Sequence, residues 1–396
     1  MKTVMIRRCL LVVLALAASS VSVSAQSLDE TLGMIEKNNL SLQALKQSAE
    51  AEKMEVQTLN NLDDPTVEYS SFYTRGTGGQ ASSELEVIQE FDFPTLYAAR
   101  HKEGEYRQEA IEKEYAAARR DILLSAELIC LDLIRLNQEY ALLSQRLDCA
   151  DRLLSLFERR LEEGDVGILE VNKIKMKRMD LSALMTTNEA AHREALQSLL
   201  AMNGNQPLEF TADTYPSVET VADMNALMDE VLASDPTLKA AEADALAARK
   251  GVSVSRQGWL PKIEIGYRRN TDLSEKLHGF LVGGSLPVFS NRKKTKIARA
   301  QAASAQLLLD DARLKLQAEV QAHFNELRQL EATLAVYDLP LMEQTVALLY
   351  EAVAAGQISI IDYYAEADDV YGNMLSRIET ECEYRKLLAE VYKNRL

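Results

Sequence analysis

Tryptophan occurs once in 396 residues, proline 8 times and histidine 4 times. Proline and the 16 glycines are too few for a chain of many short strands and tight turns; such a composition permits long helices. Basic residues number 44 against 60 acidic ones, a formal net charge of −16, which argues against a partner recognised through its phosphate backbone. Four cysteines make no disulfide scaffold at this length, and His101, His192, His278 and His323 show no metal-ligand spacing. The phosphate-loop, HExxH, CxxC and GxSxG patterns are all missing. No catalytic residue, cofactor or metal site is therefore expected, and the chain is not read as an enzyme. Apolar residues make up 47%, enough for a packed core.

Residues 1–25 read as a signal peptide. Lys2, Arg7 and Arg8 precede the apolar run Leu10 to Ala18, and Val23-Ser24-Ala25 fits the small-x-small cleavage pattern. Cleavage puts Gln26 at the front and takes the formal charge from −16 to −19. The run is too short to cross a bilayer as a helix, and no run of 18 or more follows. No cysteine follows the cut, so no lipid anchor is expected. Cys130 and Cys149 lie 19 residues apart on one predicted helix, about 28 Å, too far for a bond between them. Cys382 completes an odd set.

The chain repeats itself. Asn39-Leu40-Ser41-Leu42 resembles Asp235-Pro236-Thr237-Leu238, and Asp64-Pro65-Thr66-Val67 resembles Leu260-Pro261-Lys262-Ile263, both at a shift of 196. Phe91-Asp92-Phe93-Pro94 resembles Ser285-Leu286-Pro287-Val288 at about 193, and Glu163-Gly164 resembles Ala355-Gly356 at 192. These landmarks divide the protein into a first structural repeat, 26–205, a joint, 206–221, and a second repeat, 222–396. Each repeat reads helix, two strands, long helix, turn, helix.

After Pro94, a residue tolerated in a first helical turn, Ile122, Ala126, Ile129, Leu133, Leu136, Tyr140, Leu143, Leu147, Ala150, Leu154, Phe157 and Leu161 recur at spacings of 4 and 3. That is a coiled-coil seam. Residues 95–163 would span about 100 Å as helix, and 291–355 nearly as much. Segments 28–62, 168–203, 222–258 and 358–395 are about half as long, so two of them stacked end to end match one long helix. The expected object is a rod, with the breaker-rich stretch from Asn203 to Pro216 as a mid-rod joint.

Val67, Tyr69, Ser71 and Tyr73 share one face of a strand, and Leu85, Val87, Gln89 and Phe91 one face of its partner across the loop Arg75 to Gly79. In the second repeat Ile263, Ile265 and Tyr267 answer Phe280, Val282, Gly284 and Leu286. The strands fall at about 65–92 and 261–287. Their length suits a tilted bilayer crossing, but an open four-stranded sheet leaves edge amides unpaired in lipid. Three chains would close twelve strands around a lumen. The alternative is a small soluble sheet capping a helical rod.

These features resemble the TolC-like outer-membrane efflux proteins over essentially all of 27–396. The closest parallels are Gly164-Asp165-Val166-Gly167-Ile168-Leu169-Glu170-Val171 and Gly356-Gln357-Ile358-Ser359-Ile360-Ile361-Asp362. In that family a glycine followed six residues later by an acidic residue marks the periplasmic tip of each helical hairpin; Pro65, Pro94, Pro261 and Pro287 match its strand boundaries. The resemblance implies a mainly α fold with a small transmembrane β part: a homotrimeric channel-tunnel with a 12-stranded β-barrel and a long α-helical barrel. It implies the outer membrane and periplasm of a Gram-negative bacterium, contact with outer-membrane lipid, and docking on a periplasmic adaptor (membrane fusion) protein and an inner-membrane pump of the RND type. Gly164, Val166, Gly167, Ile168, Leu169, Gly356, Ile358, Ser359 and Ile360, at tips 164–170 and 356–362, are the expected docking residues. Glu170 and Asp362 are the expected gate or selectivity ring; a second acid three positions later, present in some members, is replaced here by Ala365. The same two carboxylates are open to a plainer role as first-turn acids favoured by the helix dipole. The Phe91 to Pro94 junction followed by Arg100 leans toward cation and heavy-metal exporters. The other function class is a periplasmic coiled-coil adaptor or scaffold without a pore, which would usually carry one hairpin inside β-rich flanks rather than two. Trp259 is expected as an interface anchor, the Tyr363-Tyr364 pair as helix packing, and the basic run Arg292 to Lys296 as a solvated or headgroup-facing helix start.

Overall fold

The structure, a computed structural model, describes residues 27–76, 79–221, 223–272 and 275–396. The signal peptide expected over 1–25 and Thr77 and Gly78 of the first hairpin loop lie outside the described residues. The elements are α1 (Leu28–Asn38), α2 (Leu40–Thr58), β1 (Thr66–Tyr73), β2 (Gln80–Phe91), α3 (Pro94–Glu163), α4 (Ile168–Met202), α5 (Met224–Ser234), α6 (Pro236–Gln257), β3 (Lys262–Asp272), β4 (Lys276–Ser285), α7 (Lys294–Leu334), α8 (Leu339–Ala354) and α9 (Ile360–Tyr392). A 3-10 turn, Lys393–Arg395, follows α9.

Three segments expected as single helices are interrupted, each for a local reason. At Asn39 the backbone turns extended between α1 and α2. Asp235, also extended, separates α5 from α6, where Pro236 forces its predecessor out of the helical region. The second long helix stops at Leu334 and restarts at Leu339. Pro340 has no N–H to offer Val336, and its ring would clash with that carbonyl, so one helix cannot run through. Asp338 caps the restart by accepting from the Leu341 amide at 3.1 Å.

The chain forms two compact units, each drawn from separate stretches. Of the described residues, one comprises 27–39, Ser125–Val218 and Gln329–Ala389; the other comprises Leu40–Leu124, Glu219–Arg328 and Glu390–Leu396. In the first unit the seam of α3 is buried at Ala126, Leu133, Leu136, Leu143, Ala150 and Phe157. Tyr140, placed on that seam by spacing, is instead 41% exposed, while Leu131, Ile134 and Leu153 are buried. The buried face is wider than a two-position stripe because α3 packs against more than one helix.

The second unit holds a four-stranded antiparallel sheet in the order β1-β2-β3-β4. Tyr69 pairs with Leu85, Leu85 with Arg269, Val87 with Tyr267, and Tyr267 with Phe280. Side chains alternate between faces along each strand. One face therefore carries Val67, Tyr69, Leu85, Val87, Ile263, Ile265, Tyr267, Phe280 and Val282, with Arg269, Lys276 and His278 toward the β3–β4 hairpin. Of these Phe280 is 89% exposed and Val282 80%, and Tyr267 meets Phe280 edge to face at 6.3 Å. The other face carries Glu68, Glu84, Glu86, Glu90, Glu264, Lys262 and Arg268. Among the described residues no helix is long and apolar enough to cross a membrane.

Candidate functional site: the two helical turns

Both turns of the first unit are built the same way. At the end of α3 the Gly164 amide donates to the Leu161 carbonyl at 3.1 Å, and the Asp165 amide to that of Arg160 at 2.8 Å. At the end of α8 the Gly356 amide donates to Val353 at 3.1 Å, and the Gln357 amide to Ala352 at 2.9 Å. These are paired Schellman closures, which need a left-handed residue after the helix. Gly164 has φ +81 and Gly356 φ +75, a region glycine enters without a Cβ penalty.

The acids six residues on each bond to the residue that opens the next helix. Glu170 Oε2 accepts from the Gly167 amide at 2.8 Å, half of a capping box, since glycine has no side chain to return the bond. At the second turn Ser359 is the cap: its Oγ accepts from the Asp362 amide at 3.2 Å and donates to Asp362 Oδ2 at 2.7 Å. Glu170 is half-buried and Asp362 exposed. Each carboxylate thus commits one oxygen to its own helix.

The turn residues divide by burial. Ile360 is fully buried, and Val166 and Ile358 are half-buried against the core beneath. The core they pack against is formed by Val171, Ile174, Leu153, Phe157, Val353 and Tyr363. Ile168 at 54%, Leu169 at 79% and Ile361 at 62% stay exposed, as do Gly164, Gly167, Gly356 and Ser359. Ile361 was not among the expected contact residues. Its signal was present, since Ile360 and Ile361 are consecutive and a helix turns one of the two away from the core.

The turns are joined to each other. Arg160, in the last turn of α3, donates to the Ala354 carbonyl at the end of α8 at 2.5 Å, and its guanidinium lies 5.5 Å from the Phe157 ring. Below, Tyr363 and Tyr364 are buried and meet edge to face at 5.0 Å. Tyr363 Oη lies 3.2 Å from Cys149 Sγ, and burial raises the pKa of both groups above the ordinary value. Asp368 is clamped by Arg146 at 2.9 Å and Lys177 at 2.6 Å, and Arg146 also stacks 4.4 Å over the Tyr371 ring. Asp368 ties α9 to α3 and α4. Sequence reasoning missed it by testing position 365, which the helix leaves exposed.

The remaining landmarks lie elsewhere. Pro65 precedes β1, Pro94 opens α3, Pro261 precedes β3 and Pro287 follows β4. Asp92 and Arg100 pair with each other at 2.7 Å, which ties the end of β2 to the first turns of α3. Trp259 is 46% exposed between α6 and β3. The basic run spans a turn and the start of α7, with Lys293 at φ +71.

Comparison with known proteins places the fold. Residues 227–380 match the family described as outer membrane efflux protein. No curated protein sequence matches the chain. Among solved structures the chain is similar to CusC, a structure concerned with folding and transmembrane channel formation: TM-score 0.76 and 13% identity over 94% of this chain and 95% of that one. It is similar to the outer membrane protein VceC from Vibrio cholerae, with TM-score 0.75 and 15% identity over 93% and 95%. The Campylobacter jejuni CmeC outer membrane channel gives TM-score 0.71 and 15% identity over 93% and 85%.

Proposed function

From a chain with the fold of outer-membrane efflux channels, and a match to their family over residues 227–380, we infer that this protein is the outer-membrane channel component of a tripartite efflux pump. It is a passive export duct from periplasm to exterior, not an enzyme. The observation that carries this reading is the sheet. One face carries mostly apolar side chains, several of them exposed, with Arg269, Lys276 and His278 toward the β3–β4 hairpin; the other is mostly charged, and among the described residues β1 and β4 each pair on one side only. A sheet with free edges is excluded from lipid because its edge amides would be unpaired. Three copies joined edge to edge give twelve strands, closing a barrel with its apolar side toward outer-membrane lipid and a lumen within.

The partners follow from the same reading: two further copies of the chain, a periplasmic adaptor and an inner-membrane pump, which we assign to the RND type. The adaptor would dock on the turns through Ile168, Leu169 and Ile361, exposed apolar side chains of the kind that mark protein contact surfaces. Glu170 and Asp362 would form a ring of six carboxylates, each with one oxygen uncommitted to its helix cap, where mutual repulsion opposes tight closure.

The test is extraction and mass. The protein should leave outer membranes only with detergent, carry the mass of three mature chains, and conduct in planar bilayers. A soluble helical monomer would refute the reading.

A further inference from the structure

We propose that Arg269, Lys276 and His278, at the hairpin end of the lipid-facing side of the sheet, form a phosphate-binding cluster for a phosphorylated glycolipid; this rests on the reading of the chain as an outer-membrane duct. The strand register aligns two rungs there. Arg269 stands between Leu85 and His278, and Thr271 between Ser83 and Lys276. Side chains two apart on a strand share a face, so the three basic residues stand on the face of Tyr267, Phe280 and Val282. The hydroxyls of Ser83 and Thr271 belong to the same two rungs. Arg269, Lys276 and His278 are all exposed.

No carboxylate of the strands neutralises them. The strand acids, Glu68, Glu84, Glu86, Glu90, Glu264 and Asp272, all belong to the opposite face. There they engage the other strand cations: Arg268 bridges Glu84 at 3.1 Å and Glu86 at 2.9 Å, and Lys262 bridges Glu90 at 3.2 Å. Arg269, Lys276 and His278 enter no ion pair among the described residues. In a chain of net charge −16, an acid-free group of basic side chains is a marked departure. Like charges on facing strand positions repel, so the group is relieved when an anion binds among them.

Depth on the sheet selects the partner. Tyr267 and Phe280 form the rung next to Arg269 and His278. Aromatic rings mark the level at which a barrel passes from hydrocarbon to headgroups, and basic side chains on the lipid side are tolerated there while disfavoured at mid-depth. Each strand pair lies between two helices, with its hairpin at the far end. Helices in the periplasm therefore place the hairpins in the outer leaflet, where a phosphorylated glycolipid supplies the anions. The Arg269 guanidinium can grip two phosphate oxygens at once, and Lys276 adds a point charge. The acyl chains of the same molecule would lie along exposed Phe280 and Val282.

The experiment is native mass spectrometry of the full-length protein in non-ionic detergent, titrated with bisphosphorylated lipid A, with dephosphorylated lipid A and with phosphatidylglycerol. Wild-type protein should bind the bisphosphorylated form about tenfold more tightly than the dephosphorylated one. An Arg269→Gln, Lys276→Gln double variant should lose that preference. An Arg292→Gln, Lys293→Gln pair, at the helix end of β4, should keep it. The inference is overturned if wild-type protein binds both lipid A forms alike, or if the Arg269→Gln, Lys276→Gln variant retains the preference. Phosphatidylglycerol bound as tightly as bisphosphorylated lipid A overturns the assignment to a glycolipid. If the double variant does not assemble, Lys276→Gln alone decides: an unchanged preference overturns the inference. Recovery of wild-type protein as a soluble monomer refutes the duct reading itself, a result distinguishable from a membrane trimer indifferent to the phosphates.

Discussion

Arg120 and Asp235 show what one buried pair contributes. Both side chains are under a tenth exposed and meet at 2.7 Å. Arg120 also donates to Asn394 Oδ1 at 3.0 Å and Thr237 Oγ1 at 3.2 Å, while Asp235 Oδ1 caps α6 at the Leu238 amide at 2.8 Å. Arg120→Leu would strand a buried carboxylate, and the expected loss of unfolding free energy is about 3–5 kcal/mol. Chemical denaturation checks it; a loss below about 1 kcal/mol would mean the site rehydrates. Glu127 is the reverse case. Burial, aided by Asp29, pushes its carboxyl up from 4.5 to about 7. An acid whose folded pKa is raised stabilises the fold at pH values below its unfolded pKa, and that contribution is lost as pH rises through about 7. Glu127→Gln should therefore flatten the fall in stability between about pH 5 and pH 8, and make the protein more stable than wild type at the upper end. Parallel pH–stability curves for the two proteins would contradict this assignment.

At the level of elements, the joint after α4 is less free than its breaker-rich sequence implies. Gly204 has φ +62, and a Cβ there would sit 2.6 Å from the Asn38 carbonyl oxygen. Asn38 and Asn203 share a side-chain hydrogen bond of 3.0 Å, and Asn39 donates to the Met202 carbonyl at 2.8 Å. Leu208 and Phe210 are buried, and Asn137 and Gln138 of α3 donate to the carbonyls of Ala212 and Asp213, both at 2.8 Å. Residues 216–220 form the longest exposed run of the joint. A one-residue insertion there should leave expression and assembly intact, because a loop absorbs it. The same insertion beside Leu136, buried on α3, rotates the following helix by about 100° and should abolish assembly. Equal yields of assembled protein from both would contradict this account of α3. The joint looked loose in sequence because glycine, asparagine and proline mark a turn whether or not tertiary contacts hold it.

For the whole protein, the proposed docking of the turns on a partner makes export sensitive to the geometry of those turns. Proline fixes φ near −65° and cannot take the positive φ of Gly164 or Gly356. Gly164→Pro and Gly356→Pro should each distort one Schellman closure, leave the trimer in the membrane, and abolish export in a drug- or metal-tolerance assay. Normal export by both variants would mean the turns are not the docking surface. The repeat, the strand faces and the glycine-to-acid spacing were legible in the residues. They are local: periods of two and of three to four, a left-handed φ that favours glycine, and a charge balance follow from covalent and steric chemistry alone. Neighbours in space decided the rest. Ile360 and Ile361 are identical in sequence terms, yet one is fully buried and the other 62% exposed. Asp362 and Asp368 are both acids on α9, yet one bonds to the cap of its own helix and the other is clamped by Arg146 and Lys177, 222 and 191 residues away. Tyr140 shares the seam spacing and faces out. Which helix covers which face, and which charge meets which, depends on contacts between residues far apart in the chain, and no period along the sequence carries that information.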